Sequence, residues 1–212
     1  MRTDDLIAHL SVGLEPVKAG SLTRQLMGAL AIGIAVSTAV MLLILGLRPD
    51  FASAMISFGM WMKLVYTFAI AAFGFWLVER AGRPGTDMQR PTMMLTLPAL
   101  AIVLLACLQM AQPGADMYGL VMGHSADVCA RNIVMVAIPT LLASFWGLRR
   151  LAPTRLGLAG AGAGLFAGAA GAFVYAFHCT EAAAPFVAVW YSLGIALTAG
   201  IGAFLGRWAL RW

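Results

Sequence analysis

Charged side chains are scarce in this sequence: Asp, Glu, Lys and Arg make up 11% of its 212 residues. A soluble domain carries about 25%, so water is excluded as the main solvent of the chain. Cysteine is scarce too, and three of them, an odd number, are too few for a disulfide scaffold. There is no P-loop, no HExxH and no GxSxG, and no paired carboxylates stand within the apolar stretches. No catalytic constellation is left, and the chain is not expected to be an enzyme. Transport loses ground for the same reason, because ion and proton pathways need intramembrane ionisable groups.

Apolar residues, by contrast, reach 61%. Crossing a hydrocarbon core roughly 30 Å thick takes about 20 predominantly apolar residues in a helix, and six such stretches follow one another. They run from about Leu26 to Leu47, Ser57 to Val78, Pro91 to Met110, Asn132 to Leu148, Leu156 to Phe177 and Phe186 to Gly206. The expected fold is all-α: a polytopic bundle of six transmembrane helices over residues 26–206, a cytoplasmic tail with a short amphipathic helix over 1–25, and a cytoplasmic C-terminus over 207–212. Ala52-Ser53-Ala54 after the first stretch has the look of a signal cleavage site. The stretch before it is about 22 residues, longer than the roughly 7–15 of a signal core, so it is kept as a span.

The basic residues set the orientation. Arg2, Lys18 and Arg24 precede the first span; Arg80, Arg83 and Arg90 lie between the second and third; Arg149, Arg150 and Arg155 between the fourth and fifth; Arg207 and Arg211 after the sixth. The opposite connections hold only Arg48 and Arg131, so the positive-inside tendency puts both termini in the cytoplasm. Lys63 lies inside the second span, near enough to its outer end to be expected to snorkel to the surface, with an intramembrane functional charge as the alternative. In the fifth span Gly160, Gly164 and Gly168 repeat every four residues, and Gly202 and Gly206 give the sixth a shorter version. Small residues along one face let helices approach closely. Intramolecular packing is the expected use, and a homo-oligomer seam is the alternative.

The tail opens Thr3-Asp4-Asp5, a helix cap followed by acids where the dipole favours them. Leu6, Leu10 and Leu14 then recur on one face, with Ile7 beside them, until Pro16 interrupts. So short a helix is marginal in water and orders when its stripe is covered, by the membrane surface, by the bundle or by a partner groove. Surface-seeking helices carry Lys and Arg on the polar face. This one carries Asp4, Asp5 and Glu15, which favours a soluble partner with a basic rim.

On the opposite side, Cys129 precedes the fourth span and Cys179 follows the fifth, with His124 and His178 near them. Cys107, in the third span, is expected to be a small packed residue. A thiol pair facing an oxidising compartment can form a disulfide, and thiolate with imidazole suits a soft metal. A structural disulfide, a redox- or metal-responsive pair and unpaired bystanders all remain open. His124 and His178 are candidate accessory ligands, although no CxxC or HxxxH spacing supports a metal site. No cofactor is expected beyond a transient heavy-metal ion at these cysteines.

Thr3-Asp4-Asp5-Leu6-Ile7 with Leu10, the following Pro16-Val17, and the outer pair Cys129 and Cys179 resemble the negative regulator of sigma-F family of six-span bacterial anti-sigma factors. The topological likeness spans the chain. It implies a protein of the bacterial inner membrane whose tail holds an extracytoplasmic-function sigma factor inactive, with no direct contact to nucleic acid. It also implies that Cys129 and Cys179 take part in sensing heavy-metal or oxidative stress. The tail departs from zinc-binding anti-sigma domains in lacking a His/Cys cluster, so sequestration would rest on a short helix, with Arg80 to Arg90 and the other cytoplasmic loops around it. The alternative from another class is a periplasm-facing metal-handling membrane protein, suggested by Met117 and Met122 beside His124 and Cys129.

Overall fold

The structure, a computed structural model, describes residues 3, 5–7, 12, 20–83, 86–151 and 153–211, without the side chains of 21 and 22. Among them there is no strand. Six helices form the body: α1 (Ser21–Val40), α2 (Phe58–Ala81), α3 (Thr96–Met110), α4 (Ala126–Leu148), α5 (Leu156–Tyr175) and α6 (Ser192–Ala209). With their short extensions, six segments are long and apolar enough to cross a membrane. Each is apolar nearly all round, so no one-sided stripe distinguishes core from lipid face, and packing decides which side is buried.

α5 is the centre. It packs on α6, α2 and α4, while α1 leans on α4. Within the most apolar part of α5, 72% of residues are buried, against 17% for the segment containing α3. The small side chains of α5 explain its place, because a helix of Gly and Ala lets three neighbours crowd in where bulky residues would hold them off. α3 is the outlying helix, and its Cys107 is exposed rather than packed, since only one flank of this helix meets the bundle.

One core cluster holds Leu26, Val78, Phe145, Leu148, Ala159 and Leu210, drawn from the start of α1 and the end of α6, and so marks the end of the bundle that carries the termini. Beside it a cleft of about 610 Å³ is lined by Arg80, Arg83 and Arg155. Arg83 pairs with Glu79 at 2.9 Å and also donates to the Thr23 hydroxyl at 2.8 Å, tying α2 to α1. The other large cluster, with Met60, Tyr66, Cys129, Tyr175, Cys179, Phe186 and Tyr191, fills the opposite end. In mid-bundle the Ser37 and Thr140 hydroxyls meet at 2.9 Å, one residue beyond Pro139 of α4.

Two helices depart from regular α geometry at the second end: α1 runs on into a π turn at Met41–Leu45, and another π turn, Val187–Tyr191, leads into α6. The chain leaves the first of these at Gly46 with φ 75°, a left-handed backbone that favours glycine. The start of the fourth helix differs from expectation. It forms from Ala126 rather than Asn132, so Cys129 and Arg131 stand inside the helix. Asp127 falls in its first turn, where a carboxylate is favoured by the helix dipole, so these charged residues begin the helix rather than end a loop.

Of the tail, Thr3 and residues 5–7 are helical, and Leu6 and Ile7 are exposed. Asp4, Leu10 and Leu14 lie outside the described residues, as does most of the expected amphipathic helix.

Candidate functional site: a buried thiol pair

Cys129 occupies the first turn of α4, where its backbone N–H donates to the Ser125 carbonyl at 2.9 Å. Cys179 lies just beyond α5, in a turn closed by its own N–H on the Tyr175 carbonyl at 3.0 Å. Fifty residues apart in sequence, the two thiols are buried in one cluster, close enough for each to influence the other's ionisation. They are free thiols. Aromatic rings enclose them: Tyr175 and Tyr191 stand 6.0 Å apart, ring to ring, and the Tyr191 hydroxyl is fully enclosed beside Cys179 without a well-formed hydrogen bond.

Cations hold the turn. The Lys63 ammonium donates to the Cys179 carbonyl at 2.8 Å, and the Arg48 guanidinium donates to the same oxygen at 3.2 Å. Arg48 is itself fixed by two 2.7 Å hydrogen bonds to the Asp50 carboxylate, a fork that presents both partners in one plane. This guanidinium holds Asp50 below the usual carboxylate range. The connection after α1 is thereby fastened to the one after α5, and two further contacts repeat the fastening: the Arg48 N–H on the Phe177 carbonyl at 3.1 Å, and the His178 ring Nδ1 against the Gly46 carbonyl at 3.0 Å. The Glu181 carboxylate accepts from the His124 backbone N–H at 2.7 Å, bringing in the connection before α4. The Gln109 side chain accepts from the Ala184 N–H at 2.8 Å and brings in α3. Nearly every helix thus reports to the turn that carries Cys179.

The neighbouring Cys129 thiol lowers the Cys179 thiol to about 6, against the burial that pushes it up, and Lys63 assists the lowering. Thiolates are the nucleophilic form of cysteine, and Cys179 is the member of the pair whose thiolate is favoured. A cavity of about 250 Å³, lined by Arg48, Ser125, Tyr175, His178 and Thr180, gives a small molecule a place beside Cys179.

Of the residues singled out in the sequence, the structure brings Cys129 and Cys179 together. It turns the His178 ring to Gly46, and involves His124 through its backbone. Among the described residues no group of three or more His, Cys, Asp and Glu gathers in a way that could hold a metal ion. Lys63 and Arg48 are the residues that sequence reasoning missed. Lys63 is completely buried and does not snorkel, and Arg48 is only 8% exposed. The signal for Lys63 was present, a lone charge within an apolar span, but the carbonyl that receives it is 116 residues away.

A profile of the family described as "Negative regulator of sigma F" matches residues 10–212. The chain belongs to this family. It is 38% identical over 226 residues to "Anti-sigma-F factor NrsF" of Caulobacter vibrioides and 36% identical over 214 residues to "Probable anti-sigma-F factor NrsF" of Azospira oryzae, covering the whole of both chains in each case. No solved structure matches. Family membership makes the chain's role regulatory rather than catalytic, and favours the regulator over the metal-handling alternative.

Proposed function

We propose that this protein is an anti-sigma factor of the bacterial inner membrane. Its cytoplasmic N-terminal segment holds an extracytoplasmic-function sigma factor inactive, and oxidative or heavy-metal stress acting on periplasmic Cys129 and Cys179 releases it. The observation that carries the reading is the thiol pair, buried together at the end of the bundle opposite the start of α1 and the end of α6. The basic connections support the orientation, and the exposed Leu6 and Ile7 support a partner for the tail.

The Cys179 thiolate attacks one oxygen of a hydroperoxide, the O–O bond breaks, and the leaving oxygen departs as hydroxide or alkoxide and takes up a proton. Cys179 is then a sulfenic acid. The Cys129 sulfur attacks it, the S–S bond forms, and water leaves with the thiol proton and the sulfenic oxygen. Two electrons pass to the peroxide in all. An S–S bond of about 2.05 Å is far shorter than a thiol hydrogen bond, so the turn at 176–183 must move toward α4. The Cys179 carbonyl then pulls on Lys63 in α2 and on Arg48 after α1, the helix nearest the tail in sequence. The switch works to the extent that the oxidised bundle binds the sigma factor less tightly than the reduced one.

In a Cys129→Ser/Cys179→Ser variant, the sigma factor stays on the membrane after peroxide or cadmium treatment, at the level of unstressed cells. Sedimenting membranes and probing for the sigma factor measures this. Release at the rate seen with the unaltered protein would remove the sensing role.

A further inference from the structure

A fully buried lysine in a membrane-spanning helix requires an account of its charge, because an ion stripped of water is costly unless compensated. Among the described residues, neither ion pair with a carboxylate includes Lys63. Its ammonium meets the Cys179 carbonyl at 2.8 Å and lies 5.9 Å from the centre of the Tyr191 ring, within cation–π range. Both thiols are close enough to feel its charge. Arg48 is the other cation at this turn, but it is already matched by Asp50.

We infer that Lys63 is the positioning cation of the thiol pair: it fixes the Cys179 turn through the carbonyl and supplies the counter-charge that lets Cys179 stand as the attacking sulfur. The inference rests on reading Cys129 and Cys179 as the sensing pair. Selectivity between the two sulfurs follows from it, since Lys63 holds the Cys179 turn directly, whereas Cys129 is fixed by the backbone of α4. The other titratable or charged groups around Cys179 are Arg48 after α1, Cys129 from α4, Tyr175 from α5, Glu181 and His178 in its own turn, and Tyr191 before α6. None of these supplies an uncommitted positive charge: His178 is turned to Gly46 and Arg48 is forked onto Asp50.

The test is the rate of Cys179 alkylation by iodoacetamide in the purified full-length chain, read by mass spectrometry from pH 5 to 9. Iodoacetamide is small and neutral, so the rate reports the thiolate rather than attraction of the reagent. In the unaltered protein the rate levels off above the depressed value of about 6. Lys63→Gln keeps a donor for the carbonyl and loses the charge; its midpoint shifts upward by about one pH unit or more, and its rate at pH 6 falls roughly fivefold or more. Lys63→Arg keeps the charge and restores the rate to within about threefold of the unaltered protein. An unchanged profile in Lys63→Gln overturns the inference, as does a loss in Lys63→Arg equal to that in Lys63→Gln, which would mean the lysine only fills space. Should the double-serine variant release the sigma factor normally while Lys63→Gln still slows alkylation, the chemistry stands and the sensing role falls.

Discussion

Gly164→Val is expected to abolish accumulation of the folded bundle, whereas Gly200→Val, on the next helix, leaves it intact. A Cβ built at Gly164 falls on the Thr198 carbonyl of α6, and one at Gly160 falls on the Gly202 carbonyl. At Gly168 it comes within 3.0 Å of the Ile195 Cα, and at Gly206, looking back, within 2.8 Å of the Gly160 Cα. These are backbone atoms, which cannot rotate aside as a side chain does. Overpacking a core costs about 1–3 kcal/mol when side chains can adjust. Here α5 and α6 would have to separate, forfeiting dispersion contacts along the whole seam, so about 3 kcal/mol or more is expected, a large fraction of a typical total stability. A Cβ at Gly200 meets nothing within 4 Å, so its valine carries the same helix-propensity effect without the clash. Yield of monodisperse protein in detergent, with the midpoint of thermal aggregation, compares the two. Equal behaviour would mean that the glycine face is not what holds the helices together.

That seam was legible in the sequence because its cause is local: a repeat of four puts small residues on one helical face whatever the neighbours are. The spans were legible for the same reason, since hydropathy over about 20 residues registers the bilayer itself. What escaped notice depends on the neighbours. Arg131 and Asp127 interrupt the apolar run, so the fourth helix was expected to start later than Ala126, although helices continue past the membrane wherever their backbone is satisfied. Lys63 was expected at the surface because a long side chain near a span end has that option. It is buried because the Cys179 carbonyl and the Tyr191 ring are packed around it by helices far away in sequence. Cys107 sits among apolar residues like any core cysteine, and no periodicity shows that α3 would be the helix left at the edge. The thiol pair is an intermediate case. Topology placed both cysteines on one side, but their contact is set by α4 packing on α5.

Removing residues 1–17 is expected to abolish sigma-factor binding while leaving the bundle and its thiol chemistry unaltered. Among the described residues the packed core begins at Leu26, and Leu6, Ile7 and Val12 are 42%, 60% and 79% exposed, so none of these three side chains is part of that core. An amphipathic helix this short has little stability of its own in water, and burying its apolar face in a groove is what a partner would supply. Each fully buried Leu or Ile is worth roughly 1.5–3 kcal/mol, and Leu6, Ile7, Leu10 and Leu14 share one face. After the ordering cost of the helix, at least a 100-fold loss of affinity is expected, or about 2.7 kcal/mol. Titrating the candidate sigma factor into detergent-solubilised full-length and truncated chains measures it. Cys179 alkylation in both forms verifies that the far end of the bundle is unchanged. If the truncated chain bound within about threefold of the full one, the contact would have to lie elsewhere at that end, and the cleft of Arg80, Arg83 and Arg155 would be the surface to mutate next. A Leu6→Asp/Leu10→Asp pair in the intact chain makes the same distinction without shortening it, because an acid on the apolar face removes the stripe and keeps the length. Binding that survives both changes would sink the tail as the docking segment.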